Sequence, residues 1–193
     1  GFRSSYTATS SNGITALGAY ALYSNVTSSS TAVGYESLYS NTTGIKNTAN
    51  GYQSLRSNTT GSYNTANGYG ALYSNTTGYE NTANGQESLF FNTTGYDNTA
   101  NGVWSLRSNT TGSWNTANGA YALQSNTIGD YNVANGYLSL NSNTTGSGNT
   151  SSGVQSLRYN TTGDENVAVG FLSLEANSTG SFNWCRFSTG ATP

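Results

Sequence analysis

The side chains that could perform catalysis are few and scattered. The chain has 8 acidic and 6 basic residues, no His and one Cys, so a general base would have to be a carboxylate. Adjacent Asp164 and Glu165 could in principle act on a glycosidic bond. Neighbouring acids in a turn are far more often solvated surface, and the remaining acids show no common pattern. We therefore expect no enzymatic activity.

Composition argues against several other classes of function. Charged residues make up 7% of the chain and the net charge is -2, which offers no basic patch for nucleic acid. No apolar run reaches the ~18 residues of a membrane span, so we expect no membrane insertion. Without His, and with a single Cys, we expect no cofactor and no metal site, and a disulfide framework is excluded.

Aromatic residues are the more informative side chains. They recur at equivalent places along the chain, and the same places also accept Gln, Arg, Asp and Glu, which predicts that they point outward. Exposed aromatic rows mark interaction surfaces, and amphipathic rings suit both a sister chain and sugar rings. Self-association is the simpler of the two interpretations. The candidate contact residues are Tyr23, Tyr39, Tyr52, Tyr69, Tyr73, Trp104, Trp114 and Tyr131.

A series of threonines supports an alternative function. This series resembles the regular Thr arrays that ice-binding proteins carry on β-solenoids, although Thr is also simply a good strand residue. Val133 and Val167 take the place of Thr without disturbing the pattern. The candidate ice-binding face consists of Thr48, Thr65, Thr82, Thr99, Thr116 and Thr150, beside Asn50 and its equivalents.

These residues are positioned by a short repeat. Asn-x-Thr-Gly or a close variant recurs every 17 residues from Asn41 to Asn177, in a unit that reads N-T-T-G-x-x-N-T-A-N-G-x-x-S-L-x-S. A helical-hairpin repeat needs ~34 residues, whereas this unit places turn residues between short extended pieces. The sequence predicts an all-β fold, a single β-solenoid of about ten coils, with equivalent residues ~4.8 Å apart.

The repeat predicts which residues fill the core. One Leu per coil, one Ala per coil and a third series of Ala or Ser would form a thin interior. Asn47 and its equivalents predict a structural Asn ladder that bonds to adjacent coils or to the turn. Gly44, Gly51 and their equivalents are expected where a turn needs positive φ. The sequons at Asn41 and its equivalents are explained by the turn, since glycans cannot stack on every coil.

The repeats also predict the domain organisation. We expect one solenoid domain, with residues 1–17 as an N-terminal cap, 18–183 as repeats and 184–193 as a C-terminal cap. Cys185 would occupy the Ala series as a small core residue, while Phe182, Trp184 and Phe187 would cover the last coil.

A longer period overlies the 17-residue unit. Arg56, Arg107 and Arg158 lie 51 residues apart, as do Glu36 and Glu87. Duplication of a three-coil block explains this spacing, and so does the separation of like charges by ~14 Å, beyond a physiological Debye length. The two explanations remain open.

The repeated motif resembles a known class of surface protein. N-T-A-N-G-x-x-S-L-x-S-N-T-T-G resembles the Asn/Ala/Gly repeats in the heads of trimeric autotransporter adhesins. It is still more similar to 17-residue repeats of phage tail-fibre and related surface proteins, which residues 34–44 and 68–78 match almost letter for letter. The resemblance implies a left-handed β-roll, commonly trimeric, displayed outside a cell or on a virion.

Together, the repeat and the resemblance predict a non-enzymatic extracellular protein, the shaft or head of a surface fibre. The expected partners are further copies of the chain, as a trimer or a filament, and surface glycans. Ice binding through the Thr series is the alternative.

Overall fold

Eleven short parallel strands, one from each successive coil, form a single sheet. The structure is a computed structural model that describes residues 2–5, 13–26 and 29–186, and these residues contain no helix. The strands are β1 (Thr15–Leu17), β2 (Thr31–Val33), β3 (Thr48–Asn50), β4 (Thr65–Asn67), β5 (Thr82–Asn84), β6 (Thr99–Asn101), β7 (Thr116–Asn118), β8 (Val133–Asn135), β9 (Thr150–Ser152), β10 (Val167–Val169) and β11 (Trp184–Arg186).

Strand order in the sheet follows chain order from β1 to β11 without a crossover. Each strand pairs in parallel with the next, in the register that the repeat predicts: Thr48 lies beside Thr65, Ala49 beside Ala66 and Asn50 beside Asn67. This arrangement is a β-solenoid of about ten turns, and the predicted fold class is confirmed.

The interior is as thin as the sequence predicts. The Leu column from Leu22 to Leu157 and the Ala column are fully buried, and Leu174 packs against this cluster while partly exposed. The third series of Ala and Ser is also buried. Where Ser151 interrupts the Ala column, its hydroxyl donates to the carbonyl of Ser156 at 2.8 Å, so the buried polar atom has a partner.

Two columns of asparagine complete the interior. In the turn-Asn column (Asn41 and its equivalents at 17-residue spacing), Asn58 Nδ2 donates to Asn41 Oδ1 at 2.7 Å and to the Gly61 carbonyl at 2.9 Å. In the pre-strand Asn column (Asn47 and its equivalents), Asn47 Oδ1 accepts from the Asn64 backbone N–H at 2.9 Å. The Asn ladder predicted at Asn47 is confirmed, and the turn-Asn column forms a second one.

Three residues of each coil adopt the left-handed αL backbone conformation. Leu55 has φ of 50°, Gln53 of 55° and Tyr63 of 61°, and the equivalents of these residues share the conformation. For a residue with a Cβ this conformation costs about 1–2 kcal/mol, which the complete burial of the Leu side chain offsets.

The two glycine columns have different causes. Gly51 has φ of 138°, as expected. The expectation of positive φ at Gly44 and its equivalents is wrong, because none of them has it. Glycine is needed there for space, since a Cβ at Gly44 would lie 2.6 Å from Asn41 Oδ1 and would meet the Gly61 carbonyl oxygen.

Both ends extend the sheet. β1 lies inside the expected N-terminal cap, and β11 lies inside the expected C-terminal one. Cys185 pairs with Ala168, as the Ala column predicts. Phe182 and Trp184 do not cover the last coil, since their side chains are 75% and 71% exposed. Trp184 points away from the core because it takes the outward Thr position of its strand. Phe187 lies outside the described residues.

Candidate surface-contact site

One row of rings follows the glycine that ends each strand. Tyr35, Tyr52 and Tyr69 stack along the solenoid with ring centroids 5.3 and 5.4 Å apart. Their side chains remain 40%, 45% and 52% exposed. Because each ring lies on the next, their exposed parts are edges and hydroxyls more than ring faces.

A second row is built into the surface more deeply. Tyr23 and Tyr39 stack at 5.1 Å, and Tyr73 and Phe90 at 4.9 Å. All four side chains are half-buried. The Arg56 guanidinium lies over the Tyr39 ring at 5.3 Å and over the Tyr73 ring at 5.8 Å, and so continues the stack between them.

The two rows belong to one surface, which we call the aromatic face: Tyr20, Tyr23, Tyr35, Tyr39, Tyr52, Tyr69, Tyr73 and Phe90. Tyr20 joins them, with its centroid 6.2 Å from that of Tyr35 and 6.3 Å from that of Tyr39. The sequence-predicted residues Tyr23, Tyr39, Tyr52, Tyr69 and Tyr73 therefore share this face.

An ion pair joins the Glu and Arg residues that recur at 51-residue spacing. The Arg56 Nε donates to Glu36 at 2.6 Å, and the Arg107 Nε donates to Glu87 at 2.7 Å. The Arg107 guanidinium also lies 5.0 Å from the Trp104 ring centroid. Trp104 is half-buried in this second cluster, and its indole N–H has no partner.

The third copy of this arrangement differs from the first two. Leu138 stands at the position of Glu36 and Glu87, and Arg158 instead approaches Glu175 at 3.9 Å.

Glu36 is held ionised by its neighbours. Burial raises the pKa of its carboxyl, but hydrogen bonds from Arg56 and Gln53 more than offset this and leave the pKa below its ordinary value. The hydrogen bond between Tyr35 and Glu36 raises the pKa of the Tyr35 phenol. These shifts belong to a structural cluster at the surface.

A third series of rings lies on a different surface. Trp114 and Tyr131 stack with their planes 3° apart and their centroids 4.8 Å apart. Tyr96 meets the edge of Trp114 at 4.5 Å, and burial is the main cause that raises the pKa of its phenol. Trp114 and Tyr131 are 40% and 59% exposed. The structure therefore distributes the predicted contact residues over two surfaces, with Trp104 joined to the aromatic face through Arg107, whose guanidinium also lies 5.5 Å from the Phe90 ring centroid.

This third series ends at a cleft that the sequence did not single out. The cleft, of about 530 Å³, is open to solvent and is lined by Tyr131, Thr145, Ser147, Gly148, Asp164, Glu165 and Phe182. Its only sequence signal is Gly148, at a position where Tyr63, Trp114, Tyr131 and Glu165 carry side chains.

The strands present the candidate ice-binding residues outward. Thr and Asn flank the buried Ala of each central strand, and both are mostly half-buried. The amides of the strand-Asn column (Asn50, Asn67, Asn84, Asn101, Asn118 and Asn135) are bonded to one another. Asn50 Nδ2 donates to Asn67 Oδ1 at 2.9 Å, and the chain of bonds continues to Asn135.

The sequons fall on the turn-Asn column, and the structure accounts for them. Asn58 and Asn75 are fully buried, and the Nδ2 of each donates two hydrogen bonds inside the solenoid. A glycan on such a nitrogen would require the coil to open, so the folded interior coils cannot carry one there.

No metal-binding cluster is found in the described part of the chain, where His, Cys, Asp and Glu do not gather in threes. Asp164 and Glu165 lie together at the cleft, where an Asp164 carboxylate oxygen accepts from the Ser147 backbone N–H at 2.7 Å. Among the same residues, no helix is long and apolar enough to cross a bilayer.

Comparison with family models, with curated proteins and with solved structures finds no match to this chain. Its function must therefore be argued from its own geometry.

Proposed function

We propose that the chain is a non-enzymatic segment of an extracellular fibre, the shaft or head of an adhesin-like or phage tail-fibre-like assembly. Further copies would join it as a trimer or a filament on the surface of a cell or virion. The left-handed β-roll that the sequence resemblance implies is consistent with the solenoid. The aromatic face carries the proposal, because monomeric proteins seldom leave contiguous rings exposed.

The low charge supports the same function. Arg56, beside the aromatic face, is paired with Glu36 of the same copy, and the exposed row of Tyr35, Tyr52 and Tyr69 carries no charged side chain. Rows of Tyr edges and hydroxyls can pack against the same rows of another copy with little charge to desolvate.

The test replaces Tyr35, Tyr52 and Tyr69 together by Gln, the residue that position 86 carries in the same column. We expect the wild type to form discrete trimers or filaments in electron microscopy and light scattering, and the triple variant to dissociate. Circular dichroism should remain unchanged. The matched control is Thr82→Val, which changes the strand surface and introduces the residue that positions 133 and 167 already carry. It should leave assembly unchanged.

Two results would contradict the proposal. A wild type that stays monomeric at every concentration would exclude a self-assembling fibre. Unchanged assembly of the triple Gln variant would exclude the aromatic face as the contact.

Ice binding is the second candidate, and the strand register favours it. Thr48, Thr65, Thr82, Thr99 and Thr116 lie in one straight row, at the ~4.8 Å spacing of paired strands. If this face binds ice, the wild type inhibits recrystallisation and Thr82→Tyr abolishes the effect by breaking the flat surface. A wild type without inhibition excludes this function.

A further inference from the structure

Stacking hides ring faces along the aromatic rows. Tyr52 lies between Tyr35 and Tyr69, and Arg56 covers the Tyr39 ring. A ligand that binds by lying flat on a ring needs a free face, so the interior of a row is a poor platform. Within a row, a free face is expected where the row stops at a residue without a side chain.

Tyr131 has such a face. Trp114, one coil earlier, covers one side of its ring at 4.8 Å. On the other side, the next residue of the same column is Gly148, which contributes no side chain. The comparable gap at Gly70 is closed, because the Phe90 ring lies 3.1 Å from where a Cβ would stand. At Gly148 the nearest atom is Glu165 Cγ, 3.2 Å from that point, so a flexible side chain and not a ring borders this space, which opens into the cleft.

The charged side chains that line the cleft are all acidic. Asp164, Glu165, Ser147 and Thr145 line it together with the ring of Phe182, and no basic residue does. Carboxylates and hydroxyls accept hydrogen bonds from ligand hydroxyl or ammonium groups, and the two carboxylates repel a ligand carboxylate.

The same column accepts a group on a ring face elsewhere along the solenoid. Lys46 and Tyr63 stand in this column, one coil apart, and the ammonium of Lys46 lies 5.0 Å from the Tyr63 centroid. Lys46 covers the side of Tyr63 that faces the N-terminus, whereas the Gly148 level places a visiting group on the opposite side of Tyr131, with carboxylates beside it.

We propose that this cleft binds a neutral or amino-substituted pyranose, with the apolar face of the sugar ring on Tyr131 and its polar substituents toward Asp164 and Glu165. The sugar ring takes the level of Gly148, and the flexible Glu165 side chain moves aside for it. Phe182, three coils from Tyr131, closes the far end at ~14 Å, so the cleft spans two coil levels. This inference rests on the glycan-contact part of the proposed function and gives it a site.

The decisive variant is Gly148→Tyr. Gly148 has φ of 70°, close to the 58° of Tyr131 and the 53° of Glu165, so the backbone already suits a residue with a side chain. The new ring continues the stack and fills the cleft, and the flexible Glu165 side chain, whose Cγ lies 3.2 Å from the new Cβ, moves aside for it. Tyr131→Ala removes the platform, and Tyr63→Ala is the matched control, since it removes a ring of the same column that lies outside both the cleft and the aromatic face.

The assay is NMR titration of the assembled wild type and variants, with the methyl glycosides of glucosamine, glucose and glucuronic acid as probes. We expect glucosamine to bind more tightly than glucose, and glucuronate not to bind. Gly148→Tyr and Tyr131→Ala should weaken binding by at least ~tenfold, whereas Tyr63→Ala should not.

Three results would overturn the inference: glucosamine and glucose both fail to bind, glucuronate binds best, or Gly148→Tyr binds as the wild type does. Light scattering on the same samples separates the two proposals. Assembly without sugar binding refutes the cleft alone, whereas a monomer that binds glucosamine refutes the fibre alone.

Discussion

At the scale of single residues, the protein depends on buried amides that satisfy one another. Asn92 Nδ2 donates to Asn75 Oδ1 at 2.8 Å and to the Gly95 carbonyl at 2.9 Å, and its own Oδ1 accepts from Asn109. An unpaired buried amide costs more than the net gain of a hydrogen bond, so such a column is stabilising only while it is continuous.

Asn92→Ala is therefore expected to be costly. It leaves Asn75 Oδ1 without its donor and removes one acceptor from Asn109, so we expect the free energy of unfolding to fall by about 3 kcal/mol. Denaturant titration measures this. Asn84→Ser, in the half-buried strand-Asn column where position 152 already carries Ser, should cost clearly less. Equal losses would mean that the buried column has no special role.

The Glu36 cluster should make stability depend on pH. Because its pKa in the folded state lies below the ordinary 4.5, ionised Glu36 stabilises the fold above that pH, and the contribution is lost as pH falls through the folded-state value. Melting temperature against pH should fall less steeply below pH 4.5 in Glu36→Gln than in the wild type. In an Arg56→Ala background the two curves should converge. Parallel curves for wild type and Glu36→Gln would contradict this account.

At the scale of the coil, the sequence predicted the strands, the core and the places of the turns, but not the backbone conformation of the turns. Spacing alone placed Leu55, Ala49 and Asn47 inside, because repeated identity at a fixed period leaves one way to stack them. It could not predict φ of 50° at Leu55, since Leu rarely adopts this conformation and only the closed coil imposes it. The sequence analysis did not predict the cleft at Gly148, because the cleft forms where one coil lacks the side chain that equivalent coils carry.

The glycines that follow the strands should be the least replaceable residues of the coil. Gly102 has φ of 134°, and a Cβ there would lie 2.7 Å from the backbone of Gly119. We expect Gly102→Ala to lower the free energy of unfolding by at least about 2 kcal/mol. Gly148→Ala is the control and should change it little, because the backbone there suits a side chain and the nearest atom belongs to the flexible Glu165 side chain. Comparable losses in chemical denaturation would contradict the distinction between the two sites.

At the scale of the whole molecule, each coil contacts only its neighbours. Strand contacts are confined to successive strands and are nearly equal along the sheet. Stability should therefore be close to a sum over coils and the interfaces between them.

Removal of one complete unit tests this additivity. Deletion of residues 82–98 joins Asn81 to Thr99 and restores the repeat. We expect a folded protein whose denaturant m-value is smaller by about a tenth. Deletion of only residues 82–89 should abolish cooperative unfolding, because the strand and the turns no longer meet their equivalents. A shortened unit that folds as well as the complete one would show that register is not required.

The asparagine ladders also give the solenoid a direction. In both buried columns the amide oxygen faces the next coil, since Asn41 Oδ1 accepts from Asn58 and Asn47 Oδ1 from Asn64. The Asn64 Nδ2 donates both back to Asn47 and forward to the Gly78 carbonyl, whereas the strand-Asn column runs the opposite way to the buried ones. The amide oxygens of two of the three ladders therefore point the same way along the axis. The molecule is thus electrically asymmetric end to end, with amide acceptors toward its C-terminal face. Copies joined through their ends would form a polar filament in which every subunit points the same way.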